Sequence, residues 1–136
     1  VFATNADGTS VGSNVIKVTY ANFPPVINLD GIISIYENTT AIVNVGATDL
    51  NTTDVLTYSI SSQSPGNDAS LMSITSAGVL SFSSAPDYED PSDYGTNNIY
   101  DITVTVSDGT DSVSQDVGVV VLDVSDCTSG HAGSSC

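Results

Sequence analysis

Apolar and polar residues alternate with a period of two along most of the chain, the mark of half-buried β-strands. Residues 32–36, 41–45 and 56–60 read as strands on this pattern. Residues 71–74 and 79–82 read likewise and flank a turn signal, Ser76-Ala77-Gly78. The strongest alternation covers residues 99–106. In residues 112–122, Val117, Val119 and Val121 fall on one face. No stretch keeps a helical period over a useful length. About seven short strands joined by closely spaced turns predict an all-β, Greek-key β-sandwich. Residues 87–98, rich in Asp, Pro and Gly, read as a surface loop with room for one helical turn.

The beginning of the chain repeats its end. Residues 1–20 hold a strand, an Asp7-Gly8 turn and a second strand. Residues 104–122 hold the same series around Asp108-Gly109. Such self-similarity is how tandem arrays show themselves in sequence. Ala21-Asn22-Phe23-Pro24-Pro25 then reads as a stiff linker, because consecutive prolines do not pair within a sheet. The expected organisation is a terminal hairpin (1–20), a linker (21–25), a sandwich (26–126) and a tail (127–136). Two strands alone do not bury an apolar face in water. The hairpin therefore belongs to a preceding repeat, or completes the sheet of a neighbouring molecule by strand exchange, or extends this domain's own sheet.

Charge changes the picture of what the sandwich meets. The chain has 136 residues, 1 Lys or Arg against 16 Asp or Glu, and a formal net charge of -15. Phosphate backbones and anionic lipid surfaces need cationic side chains, so nucleic acid and membrane insertion are excluded as expected partners. Self-repulsion of this size favours bound cations. No run is apolar enough to span a membrane as a helix. No signal peptide is visible, which reads as a mature, processed or excised chain.

Cys127 and Cys136 enclose a Gly/Ser loop and would form a disulfide in an oxidising compartment. With the scarcity of Lys and the abundance of Thr, Ser and Asn, they point to an extracellular or cell-surface setting. Their spacing does not suit zinc, and His131 has no second His to join it. That lone His stands in a Gly/Ser tail, without the rigid setting a Ser-His-Asp triad needs. Asp87 and Glu89 could serve as a glycosidase pair, but Trp is absent and no aromatic cleft accompanies them. The chain therefore does not read as an enzyme. Asn38-Thr39-Thr40 and Asn51-Thr52-Thr53 match the N-glycosylation triplet. Tyr88 and Tyr94, in the predicted loop, are the better tyrosines for a ligand surface.

Several acidic phrases recur in a set order: Tyr36-Glu37-Asn38, Asp49-Leu50-Asn51, Asp87-Tyr88-Glu89, Asp108-Gly109 and the run from Asp123 to Asp126. With Pro25-Val26-Ile27 as entry and Gly78-Val79-Leu80 before the Asp-x-Glu phrase, residues 26–126 resemble a bacterial tandem cadherin-like repeat. The resemblance implies a cadherin/immunoglobulin-like sandwich with Ca²⁺ at the joints between repeats. It implies an exit site of Glu37, Asp87, Glu89, Asp123 and Asp126. It also implies an entry site of Asn22, Asp49, Asn51 and Asp108, where Asn51 replaces an acid and lowers the ligand charge. Extracellular calcium modules of this kind bind with Kd on the order of 10⁻⁴–10⁻³ M. The expected role is a secreted structural or adhesive module whose partners are other copies or adjacent repeats. The alternatives are a filament subunit built by strand exchange through residues 1–20, and a carbohydrate-binding module that meets polysaccharide.

Overall fold

The structure, a computed structural model, describes residues 21–125. The hairpin of residues 1–20, Lys17, Asp126, His131 and the two cysteines lie outside the described residues. Among the described residues nine strands follow in order: β1 (Val26–Asn28), β2 (Ile32–Tyr36), β3 (Ala41–Asn44), β4 (Gly46–Thr48), β5 (Thr57–Ser62), β6 (Met72–Ile74), β7 (Val79–Phe82), β8 (Ile99–Ser107) and β9 (Ser112–Leu122). They form a four-stranded sheet in the order β2-β9-β8-β5, a three-stranded sheet β3-β7-β6 and a β1-β4 pair. All pairs are antiparallel except β2 with β9. The predicted β-sandwich is therefore present. Its expected seven strands appear as nine among the described residues because Val26–Asn28 and Gly46–Thr48, which pair with each other, were not expected as strands. Among the described residues, helical geometry occurs as a 3-10 turn at Asp68–Leu71, ahead of β6 rather than in the 87–98 loop.

Alternation builds the core. Tyr100, Ile102, Val104 and Val106 on β8 and Val117, Val119 and Val121 on β9 all point inward and are buried. Met72, Leu80 and Phe82 meet them from the other sheet. Phe82 and Tyr100 stack edge to face, with ring centroids 4.9 Å apart and planes at 79°. That geometry suits the ring quadrupoles.

Side chains finish a ladder that the strands leave incomplete. β5 stops pairing with β8 at Ser62–Ile102. Beyond it, Gln63 Nε2 donates to the Ile102 carbonyl at 2.8 Å. The buried Asp68 accepts from the Asp101 N–H at 2.9 Å and from the Tyr94 N–H at 2.8 Å. Asp93, also buried, accepts from the N–H groups of Asn97 and Asn98. The long loop before β8 is thus ordered by carboxylates that take up backbone donors.

Gly78 shows how tightly the sheets close. Its φ is +89°, and an added Cβ would lie 2.9 Å from the Val45 carbonyl oxygen. The Gly78 carbonyl accepts from the Val45 N–H at 2.8 Å, so the turn cannot back away without breaking that bond. Left-handed strain on a side chain costs about 1–2 kcal/mol. Gly78→Ala is expected to lower unfolding free energy by about 2 kcal/mol, read from the urea midpoint. An unchanged midpoint would show that the turn relaxes freely.

Candidate metal centres

β8 and β9 run the length of the sandwich, and each delivers acids to one end. β8 has nine residues and spans about 30 Å. Asp108 follows its C-terminus. The C-terminus of its antiparallel neighbour β9 leads to Asp123 at the opposite end.

At the β9 end, the Glu37 N–H donates to the Leu122 carbonyl at 3.0 Å and extends the β2–β9 ladder by one residue. Asn38 then turns the chain with φ 63°, a left-handed conformation that Asn tolerates. Its N–H donates to the Pro86 carbonyl, tying the turn to the loop after β7. Glu37 is only 3% exposed. Its Oε2 accepts from the Tyr88 N–H at 2.9 Å and its Oε1 from the Val124 N–H at 3.0 Å. One side chain thereby clamps two separate segments. Asp87 Oδ1 accepts from the Glu89 N–H at 3.0 Å, a local turn that sets the Asp-x-Glu acids side by side. Glu37, Asp87 and Glu89 each offer an oxygen within 4.8 Å of the others. The N–H groups of Tyr88 and then Val124 hold the Glu37 carboxyl below its ordinary 4.5, against the opposing effect of burial. A side-chain hydrogen bond with Asp123 acts in the same direction.

At the β8 end, Asp49, Asp54 and Asp108 also bring oxygens within 4.8 Å of one another. Asp108 Oδ1 accepts from the N–H groups of Thr110 and Asp111 at 2.7 and 2.6 Å, the expected Asp-Gly turn. The Asp111 N–H first, and the Asn22 amide and Thr110 N–H with it, lower the pKa of Asp108 while burial opposes them. Asn22 Nδ2 donates to both Asp108 Oδ2 and Asp111 Oδ2 at 2.9 Å. Asn51 ties the linker down. Its Oδ1 accepts from the Phe23 N–H at 2.7 Å, and its Nδ2 donates to the Ala21 carbonyl at 3.2 Å. Asp49 Oδ1 accepts from the Asn51 N–H at 2.7 Å, whereas Asp49 Oδ2 is buried with no hydrogen-bond partner.

That oxygen is the test of fit for a cation. A buried carboxylate oxygen without a donor costs free energy. The chain's one Lys or Arg is Lys17, so no such cation stands among the described residues to serve it. Both groups offer only oxygens, the donor set that calcium takes. The residues present therefore fit a hard divalent cation at each end.

The structure assembles most of the two predicted sets. Glu37, Asp87 and Glu89 meet, and Asp123 lies beside Glu37. Asp49 and Asp108 meet, with Asn22 and Asn51 bonded to them. Asp126 lies outside the described residues. Sequence reasoning missed Asp54 and Asp111. The signal was present as a second acid shortly after each recognised one, in Asp49…Asp54 and Asp108…Asp111.

No family model and no curated protein matches this chain. Solved structures do. EC1-2 of human protocadherin-24 superposes with TM-score 0.62 at 25% identity, covering 78% of this chain and 46% of that one. EC1-3 of Drosophila N-cadherin gives TM-score 0.61 at 19% identity, covering 85% of this chain and 36% of that one. The fold is cadherin-like. EC1-3 of mouse protocadherin-24 agrees, with TM-score 0.59, 20% identity and coverage of 84% and 36%. This chain spans less than half the length of each of these cadherin structures. Among the described residues no helix is long and apolar enough to cross a membrane.

Proposed function

We propose that this domain is an extracellular, calcium-binding, cadherin-like module with a structural or adhesive role rather than a catalytic one. The observation that carries the reading is the gathering of sequence-distant carboxylates at both ends, with Asp49 Oδ2 buried and unpartnered at one of them. Glu37, Asp87, Glu89 and Asp123 would hold Ca²⁺ at the exit end, with Asp126 completing the set from the following segment. Asp49, Asp54 and Asp108 would hold it at the entry end, with Asn22 and Asn51 positioning the linker. Bound calcium supplies positive charge that cancels carboxylate repulsion. The chain's own residues do the rest. Glu37 fastens the exit segment through the Val124 N–H, and Asn51 fastens the entry linker through Phe23 and Ala21. With both connecting segments held, neighbouring copies or adjacent repeats stand end to end at a fixed angle.

A calcium titration of the full chain tests this. Ligand that binds only the folded state adds about 2.7 kcal/mol per site at a hundredfold excess over Kd. Thermal stability is expected to rise through the millimolar calcium range and to fall back with EDTA. Limited proteolysis near residues 21–25 and 123–126 is expected to slow in calcium. The double variant Asp49→Asn with Glu89→Gln is expected to lose most of the rise. A melting temperature and cleavage pattern indifferent to both calcium and EDTA would overturn the reading.

A further inference from the structure

The two Asn-x-Thr triplets are equivalent in sequence but not in the fold. Asn51 is half-buried and both ends of its amide are engaged, Oδ1 with the Phe23 N–H and Nδ2 with the Ala21 carbonyl. A sugar on that Nδ2 would have to enter between the linker and the loop that carries Asp49 and Asp54. Asn38 is different. It sits in the turn after β2 at φ 63°, and it is exposed together with Thr39 and Thr40. The turn is held by backbone bonds: the Asn38 N–H to the Pro86 carbonyl, and the Phe82 N–H to the Thr40 carbonyl, at 3.0 and 2.8 Å. It therefore keeps its shape without using the Asn38 amide.

We propose that Asn38 is an acceptor for an N-linked oligosaccharide, and that Asn51 in the folded domain is not. The donor class is an oligosaccharide carried on a lipid pyrophosphate. Asn38 Nδ2 forms a bond to the anomeric carbon, and the bond from that carbon to the pyrophosphate oxygen breaks. The lipid pyrophosphate leaves with the electron pair, one amide proton passes to base, and nothing is oxidised or reduced. The product is a bulky hydrophilic group of the surface-loop kind, one residue beyond Glu37. It would limit the orientations in which a second molecule reaches the exit end. The assignment stands on exposure and backbone bonding, independently of whether either end holds calcium.

The test is secretion of the full chain from cultured cells with an N-glycosylation pathway. The folded, soluble fraction is then treated with peptide-N-glycosidase in heavy-oxygen water, and the peptides are read by mass spectrometry. Labelled Asp is expected at residue 38 and not at residue 51. Asn38→Gln should abolish the glycan-dependent mobility shift. Thr40→Ala should do the same while leaving Asn38 in its left-handed turn. Asn51→Gln and Thr53→Ala should each leave the shift intact. Label at residue 51, or an unlabelled residue 38, overturns the proposal.

Discussion

Glu37→Ala is expected to remove about 3–4 kcal/mol of stability and, with it, the calcium response of the exit end. Two backbone donors depend on this side chain, the N–H groups of Tyr88 and Val124. Leaving a buried donor unsatisfied costs about 1–3 kcal/mol, and bonds to a carboxylate are about twice as strong as neutral ones. Both bonds are only partly buried, so water recovers some of the loss and the lower half of the range applies. For a domain of this size the melting temperature should fall by roughly 15 °C or more. Glu37→Gln keeps the shape but turns an amide NH₂ toward one of the two donors. It should lose about half as much stability and still lose the charge that attracts the ion.

Acid should act on the wild type as the substitution does. The Glu37 pKa is lowered on folding, so the unfolded state binds its proton more readily. The associated stability is present in full above the ordinary value of 4.5 and drains away as pH falls through the depressed folded value. Asp108 contributes with the same sign below its ordinary 3.8. Asp101 opposes them. Burial, and then the charges of Asp68, Asp93 and Asp116, raise its pKa, so its protonation in acid relieves strain. Glu37 therefore makes a loss of stability in acid of its own, with Asp108 acting in the same direction. That loss should shrink in Glu37→Gln, where one of the two is gone. A Glu37→Gln variant with the full acid slope and intact calcium response would show that this carboxylate is an ordinary surface acid.

Most of the sheet architecture was legible in sequence because inward residues recur every second position. β8 and β9 carry that pattern without a break, and their bounds came out within a residue. β2 and β3 were legible too, to within a residue, but β1 and β4 were not. Val45, which follows β3, still donates its N–H to the Gly78 carbonyl in the turn before β7, in step with the β3–β7 register. The chain then leaves that sheet so that Gly46–Thr48 pair with β1, a change of partner that no local pattern records. The acidic phrases were legible for a related reason: strand ends lie at the ends of the sandwich. Glu37 after β2 and Asp108 after β8 had to lie there. Asp54 was not legible, because its place depends on the turn in which its N–H donates to the Asn51 carbonyl at 2.9 Å. Nor were Asp68 and Asp93. A carboxylate that collects backbone N–H groups inside a loop looks in sequence like any soluble Asp.

Asp68→Ala separates the two kinds of buried acid. Asp68 is 2% exposed, and its two oxygens take the N–H groups of Tyr94 and Asp101. Its removal leaves the β8 edge unpaired where β5 stops and releases the loop before β8. The expected cost is about 3–4 kcal/mol, as for Glu37→Ala, because these two bonds are again partly buried. The magnitude thus rivals Glu37→Ala, but the consequences for calcium differ. Asp68 belongs to neither carboxylate group at the sandwich ends. Urea unfolding of Asp68→Ala should therefore show a lowered midpoint and the same calcium-dependent increment as the wild type. Glu37→Ala should show a lowered midpoint and a smaller increment. Asp68→Asn adds a second signature: loss of the Asp68 charge should bring the Asp101 pKa back toward 3.8, visible by carboxyl NMR titration. If Asp68→Ala and Glu37→Ala lost the calcium increment equally, the increment would report general loosening rather than ligation. The ends of the sandwich would then have no special claim on the ion.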